Sequence, residues 1–204
     1  MCRSNPLPTS LFPFSTLVQS TQTNHLPRRS IDCSTERERG NQSRFVLEND
    51  VQSIGVFLGH LETSQLGKSL GDEAALVPIQ MALREALVNA IFHGNLELSS
   101  ELKEQDQTLF FEMAEQRREQ SPYRDRRVRV EVRETRTEIT FTISDDGRGF
   151  DPCALPDPTD AENLEKTSGR GLFLIRSFMD EVHHNPKGNE ITIVKRFEPR
   201  SAAA

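Results

Sequence analysis

The sequence predicts an α/β fold, a two-layer α/β sandwich in which helices cover one face of a mainly antiparallel mixed sheet. Two alternating strands, Val128–Val132 and Glu138–Ser144, are separated by a short turn, which is typical of an antiparallel hairpin. A long segment before them repeats its apolar residues at helical spacing. Strands and helices are mixed along the chain rather than strictly alternating, which favours this sandwich over a doubly wound parallel sheet.

The ordered part of the chain is predicted to begin with a strand and a helix. Arg44 to Glu48 is a short strand-like stretch, and Asn49-Asp50 is suited to cap the helix that follows. The apolar residues of that helix recur at helical spacing: Val51, Ile54, Phe57, Leu58 and Leu61.

A second, longer helix is predicted from its N-cap Asp72 to about His93, after a break between Gly67 and Gly71. One face of this helix carries the apolar stripe that would pack on the sheet: Leu76, Ile79, Leu83, Leu87 and Ala90.

Helical and extended segments continue on both sides of the hairpin. Residues 98–122 are charged and predicted to be helical, with an apolar side of Leu102, Leu109, Phe110, Met113 and Ala114. Pro152–Thr167 is a proline-containing loop, placed to act as a lid, and a helix is predicted from Gly171 to Glu181. Gly188 is predicted to interrupt the regular secondary structure before a last strand, Glu190–Lys195.

Length and composition predict one domain with a leader. Residues 1–42 are rich in Ser, Thr, Pro and Asn and are predicted to be a disordered leader. The folded domain is predicted at residues 43–197, with a helical insertion at about 98–122 and a tail at 198–204. The alternative for the leader, a transit peptide, lacks an amphipathic helix to support it.

Charge and cysteine content exclude several classes of function. Of the net charge of −6, residues 1–40 carry +2 and the rest −8, which argues against a nucleic acid partner. No apolar run is long enough to span a membrane. Three cysteines without CxxC spacing indicate reduced thiols in a cytoplasmic protein.

Two polar residues on the long helix are candidates for chemistry. Glu85 and Asn89 are four residues apart, so they share a face about one turn apart and away from the apolar stripe. A carboxylate can accept a proton, and an amide oxygen suits Mg²⁺ beside phosphate. Taken alone, a solvent-facing glutamate and asparagine on an amphipathic helix explain this pair more simply.

Two glycine-containing segments follow. Asp145 ends an apolar strand and precedes Gly147 and Gly149, so its carboxylate could accept a hydrogen bond from adenine while the glycines let a flat ligand approach. An ordinary Asp-Gly turn is the alternative. Gly169-Arg170-Gly171 opens a helix, whose free N–H groups favour phosphate, with Arg170 adding a charged donor. A loop that simply enters a helix is the alternative there.

In this order the three segments resemble a known superfamily. Glu85–Asn95 is similar to the N box of the GHKL ATPases, and Asp145–Gly149 and Ser168–Gly171 are similar to their first and second glycine boxes. The superfamily shares the Bergerat fold. The continuation Gly149-Phe-Asp-Pro152 and the helix after Gly171 most resemble the anti-sigma factor serine/threonine kinases. The resemblance covers roughly residues 44–196.

That resemblance implies roles for the residues of the three boxes. Glu85 would be the catalytic base and Asn89 the Mg²⁺ ligand. Asp145 would accept the adenine amine, with Gly149 near the adenine ring and Gly147 in the same nucleotide-binding turn. The implied phosphate contacts are Gly169, Arg170 and Gly171. The implied cofactors are ATP and Mg²⁺.

The resemblance also implies a reaction and partners. Such kinases transfer the γ-phosphate of Mg-ATP to a Ser or Thr of a STAS-domain anti-sigma factor antagonist, and they bind a sigma factor as homodimers. The resemblance and the acidic composition together predict a cytoplasmic protein with neither direct nucleic acid binding nor a membrane partner.

Two departures from the family pattern leave alternatives open. The family commonly has Gly-Thr before the last strand, whereas this chain has Gly188-Asn189, so either Asn189 or Thr192 could replace that threonine. The insertion at 98–122 is longer than expected. The alternative functions are a nucleotide-sensing binding module without chemistry, a histidine-kinase-type ATPase domain acting in trans, and a degenerate member that binds no nucleotide.

Overall fold

Five strands and the helices that cover them lie within residues 42–63, 73–154 and 170–197, which are those described by this computed structural model. Of residues 73–75, 154 and 170, only the backbone belongs to these ranges. In chain order the elements are β1 (Gln42–Leu47), α1 (Val51–Thr63), α2 (Glu73–Val88), a π-helical turn (Asn89–Asn95), α3 (Ser100–Gln105), α4 (Gln107–Arg118), a 3₁₀ turn (Tyr123–Asp125), β2 (Val128–Glu134), β3 (Glu138–Ser144), a 3₁₀ turn (Pro152–Ala154), α5 (Arg170–Phe178), β4 (Glu181–His184) and β5 (Glu190–Arg196).

The strands form one sheet in the order β1-β2-β3-β5-β4, in which each neighbouring pair is antiparallel. The predicted hairpin is β2–β3, and the predicted last strand is β5. In the register, Val130 lies opposite Phe45 on one side and Ile143 on the other. The predicted α/β sandwich is confirmed, with a sheet that is antiparallel rather than mixed throughout its described pairs.

The core forms between one face of the sheet and the helices. Alternate residues of β2 and β3 are buried, and most of the predicted stripes of α1 and α2 pack in the same cluster. The prediction for Val51 was wrong, because this first residue of α1 is 48% exposed, and Leu76 is buried but lies outside the cluster. Leu83 and Leu87 are both fully buried, and truncation of a fully buried leucine typically costs about 2–5 kcal/mol. The other face of the sheet is polar, with Glu131, Thr142 and Thr192 in register across it.

The predicted start of α1 is confirmed by its cap. Asp50 Oδ1 accepts a hydrogen bond from the Ser53 N–H at 2.6 Å, which satisfies one of the free amides of the first turn. Asn49 does not act in the cap. Its side chain is buried and donates to the main-chain carbonyls of Tyr123 and Arg126.

The long helix ends differently from the prediction of one helix to His93. The α-helix stops at Val88, and residues Asn89–Asn95 continue as a wider π-helical turn. The Leu96 N–H donates to the Ile91 carbonyl, five residues back. A physical reason is the run Ala90, Ile91 and Phe92, since all three side chains are buried and a regular α-helix would turn one of them away.

The predicted insertion consists of two short helices, α3 and α4, capped by Ser99 and Asp106. Phe110 and Ala114 are buried, as predicted, and the Phe110 ring lies 5.4 Å from the Phe92 ring. The prediction for Leu109 was wrong, because this side chain is 42% exposed. It lies one position before Phe110 and therefore on a different face of α4 from the buried pair Phe110 and Ala114. The insertion is therefore part of the core and contacts the π-helical turn.

The C-terminal helix was predicted three residues too long. α5 ends at Phe178, and Glu181–His184 forms the edge strand β4, which the sequence did not predict. Asp180 lies between α5 and β4 and is already bonded to β5. Its N–H donates to the Val194 carbonyl, and its carboxylate accepts from the Arg196 N–H.

Some predictions lie outside the described residues. They concern residues 1–41 of the predicted leader, the break Gly67–Gly71, the cap Asp72, residues 155–167 of the predicted loop and the tail. Gln42, predicted as the last leader residue, is the first residue of β1. Within the described ranges, no helix is long and apolar enough to cross a membrane.

Candidate nucleotide site

The start of α5 lies directly against the Glu85–Asn89 face of α2 and the π-helical turn. Gly171 marks this contact, because a Cβ on it would lie 2.9 Å from Glu85 Oε2 and 3.6 Å from Asn89 Nδ2. Both side chains are partly buried. The fold thus brings a carboxylate and an amide to the N-terminal end of a helix, where free backbone N–H groups favour phosphate.

The turn after β3 contacts the other end of the same helical segment. Gly94 packs on the Asp145 carboxyl group so closely that a Cβ would lie 2.4 Å from Asp145 Cγ. A Cβ on Gly147 would lie 2.3 Å from the Gly94 carbonyl oxygen. The Gly147 N–H in turn donates to Asp145 Oδ1 at 2.8 Å. Glycine is therefore required on both sides of this contact.

The second half of the turn packs on the loop between β4 and β5. Gly149 has φ 78°, and a Cβ there would lie 2.0 Å from the Lys187 carbonyl oxygen. That carbonyl accepts from the Phe150 N–H at 3.1 Å. Gly188 has φ 73° and approaches the Phe150 carbonyl in the same way. Two glycines thus allow two backbone segments to cross beside Asp145.

Asp145 and Asp146 are neighbours with opposite electrostatic environments. Burial raises the pKa of Asp145 to about 6, against the lowering effects of its hydrogen bond with Gly147 and of the Lys187 and Arg126 charges. For Asp146, burial acts in the same direction but is outweighed, because Arg129 and the Arg127 N–H donate to its carboxylate, so its pKa is lowered. The Asp146 carboxylate is therefore held by hydrogen bonds from Arg127 and Arg129, whereas the Asp145 carboxylate is mainly desolvated.

Asn189, the residue directly before β5, lies beside Asp145. Its Nδ2 donates to the Asp145 main-chain carbonyl at 2.9 Å, and its own carbonyl accepts from the Asp145 N–H at 3.0 Å. Thr192 lies farther along β5, opposite Thr142. Of the two residues considered for the family's threonine, Asn189 is therefore the one near Asp145, and its side chain contacts the main chain rather than the carboxylate.

Two predicted phosphate contacts are not described. Gly169 lies outside the described residues, and Arg170 begins α5 without a described side chain. Of the remaining predicted residues, Glu85, Asn89 and Gly171 meet at one end of the site, and Asp145, Gly147 and Gly149 meet at the other. Gly94 connects the second group to the N box, a role that the local sequence did not indicate.

His93 is a structural residue of the π-helical turn. Its Nδ1 lies 2.7 Å from the Leu98 carbonyl, and burial lowers the pKa of its imidazole. A neutral ring that donates to this carbonyl accounts for the position of His93 without a catalytic role.

The α/β sandwich thus brings the Glu85–Asn89 face, the start of α5 and the Asp145 turn together around one helical segment. A family model described as the histidine kinase-like ATPase domain matches residues 58–195, and the chain belongs to this family. The predicted resemblance to the GHKL superfamily is thereby confirmed.

A search of curated proteins gives a similarity to the serine/threonine-protein kinase BtrW of Bordetella bronchiseptica. The two proteins are 30% identical over 78 residues, which is 36% of this chain and 55% of BtrW. The chain thus matches about half the length of this curated relative. Together with the family, the similarity supports an ATP-binding, kinase-like protein.

Proposed function

We propose that this protein is an ATP-dependent serine/threonine kinase of the anti-sigma factor type. It transfers the γ-phosphate of Mg-ATP to a Ser or Thr of a STAS-type antagonist and thereby regulates a sigma factor. The observation that carries the proposal is the closeness of Gly171 to Glu85 and Asn89. A carboxylate beside the free N–H groups of a helix start suits a proton acceptor near phosphate.

The Asp145 turn is proposed to recognise the adenine ring. Asp145 offers a desolvated carboxylate to the exocyclic amine of adenine, and a hydrogen bond to a charged group in such a setting is worth about 1.5–3 kcal/mol. Gly147 and Gly149 allow the close backbone contacts with Gly94 and Lys187 that shape the turn beside this carboxylate.

The start of α5 is proposed to bind the phosphates. The free N–H groups there favour an anion, and Gly169 and Arg170 are proposed to add contacts. Asn89 is proposed to hold Mg²⁺, and its partly buried amide next to Gly171 is a suitable hard oxygen ligand. When bound, the ion neutralises charge on the phosphates during transfer.

Glu85 is proposed as the base. A bond forms between the acceptor hydroxyl oxygen and the γ-phosphorus, the bond from that phosphorus to the β–γ bridging oxygen breaks, and ADP leaves. The hydroxyl proton passes to the Glu85 carboxylate. The sigma factor, the STAS protein and the dimer are proposed from the family resemblance, and the name of the relative BtrW supports a Ser/Thr acceptor.

The test is transfer of radiolabelled phosphate from ATP to a candidate STAS protein. Glu85→Gln should lower kcat by about 100-fold or more, the usual contribution of a general base, with little change in ATP affinity. The matched control is Glu101→Gln, which changes an exposed glutamate at the first turn of α3.

The outcomes separate the candidate functions. ATP binding without transfer to any STAS protein would contradict the kinase and leave the nucleotide-sensing module. An acid-labile phosphohistidine product would instead favour the histidine-kinase type acting in trans. A chain that binds no ATP would be the degenerate member.

A further inference from the structure

One peptide group, between Asp145 and Asp146, is held at both of its polar atoms by side-chain amides. Its carbonyl oxygen accepts from Asn189 Nδ2 at 2.9 Å. Its N–H donates to Asn95 Oδ1 at 2.7 Å. The two asparagines come from different segments, Asn189 from the residue directly before β5 and Asn95 from the end of the π-helical turn.

Asn95 is itself fixed in orientation. Its side chain is 0% exposed, and its Nδ2 donates to Asn49 Oδ1 at 2.7 Å. Asn49, also buried, uses its own Nδ2 to donate to the carbonyls of Tyr123 and Arg126. Since each amide has a donor and an acceptor that fit in one way only, the Asn95 oxygen must face Asp146.

The fixed peptide determines where the Asp145 side chain leaves the main chain. The carboxyl group then lies against Gly94, the residue next to Asn95. Rotation of the peptide would therefore move the carboxylate relative to the wall that it packs on. A hydrogen bond from a ligand to this carboxylate needs good alignment, because hydrogen bonds weaken steeply with angle.

We propose that Asn95, oriented by Asn49, is a positioning residue that sets the selectivity of the site for the adenine amine. It does so without touching the nucleotide, by holding the Asp145–Asp146 peptide from the side opposite Asn189. This inference rests on the proposed nucleotide function. It adds the residue that orients Asp145, the proposed acceptor for the adenine amine.

The test compares Kd for ATP with Kd for purine riboside triphosphate, which lacks the 6-amino group. The wild type should prefer ATP by about tenfold or more, the value of one good hydrogen bond to a carboxylate. Asn95→Ala should weaken ATP binding and leave the amine-free nucleotide nearly unchanged, so that the preference falls towards one.

The control variant is Asp106→Ala, which removes a side-chain acceptor from the Leu109 N–H at the cap of α4, away from the turn. It should lower the melting temperature and keep the preference. If Asn95→Ala does not fold, Asn189→Ala, at a less buried residue, should reduce the preference in the same direction.

The outcomes are distinguishable. A wild type that binds neither nucleotide would overturn the proposed function and this inference together. A wild type that prefers ATP, with the same preference in Asn95→Ala and Asn189→Ala, would overturn this inference alone and leave the asparagines a structural role.

Discussion

Substituting alanine for Gly149 is the sharpest test of the crossing between the Asp145 turn and the β4–β5 loop. Gly149 has φ 78°, and the left-handed conformation costs an alanine about 1–2 kcal/mol. The new Cβ would lie 2.0 Å from the Lys187 carbonyl oxygen, and relief of such overpacking costs about 1–3 kcal/mol. The sum predicts a loss of about 2–5 kcal/mol in the free energy of unfolding.

The same substitution at Gly55 provides the matched control. A Cβ at this position of α1 meets no atom within 4 Å. Replacing a helical glycine with alanine should therefore stabilise the protein by about 0.5–1 kcal/mol. The chain has no tryptophan, so urea unfolding is best followed by far-UV circular dichroism.

The free energy of unfolding should thus fall in Gly149→Ala and rise in Gly55→Ala. In the wild type, ATP at 100 times its Kd should add about 2.7 kcal/mol, and Gly149→Ala should lose most of this increment. A loss of less than about 1 kcal/mol in Gly149→Ala without ATP would refute the reasoning from backbone strain and contact.

Two further predictions concern Asp145 and the insertion. Because burial raises the pKa of Asp145 to about 6, the folded protein binds more protons than the unfolded chain between about pH 4 and 6, and the stability from the protonated group is lost as pH rises through about 6. Asp145→Asn should therefore stabilise the protein at pH 7.5 by roughly 1 kcal/mol, after allowance for solvent screening, and have little effect at pH 4, which urea unfolding at both pH values checks. Phe110→Ala should cost about 3–5 kcal/mol, whereas Leu109→Ala at an exposed position should cost less than about 1 kcal/mol; equal losses would contradict the described packing.

Local signals predicted most of the secondary structure. The spacing of Ile54, Phe57 and Leu61 predicted α1, and the alternation from Glu138 to Ser144 predicted β3 with its observed bounds. The edge strand Glu181–His184 was missed because its four residues carry no clear alternation of apolar and polar side chains, and its pairing with β5 supplies the hydrogen bonds. The π-helical turn was missed because it depends on burial of neighbouring side chains.

The candidate site was predictable only in part. Glu85, Asn89, Gly171 and the Asp145 turn were predicted because their order resembles a family pattern, and their proximity in the structure supports one site. Asn49 and Asn95 gave no such signal, since an isolated asparagine 46 residues from its partner has no local pattern. Such partners become visible only when the fold brings distant segments together.

The helix that carries the N box contacts both ends of the candidate site. Gly171 meets it at Glu85, and the Asp145 turn meets it at Gly94. Nine residues separate these two points, which at the rise of an α-helix corresponds to about 13 Å, and less where the turn is wider. The spacing between the Asp145 turn and the start of α5 is therefore set by one continuous stretch of hydrogen-bonded backbone. Under the proposed function, this spacing would fix the length of the nucleotide that contacts both segments at once.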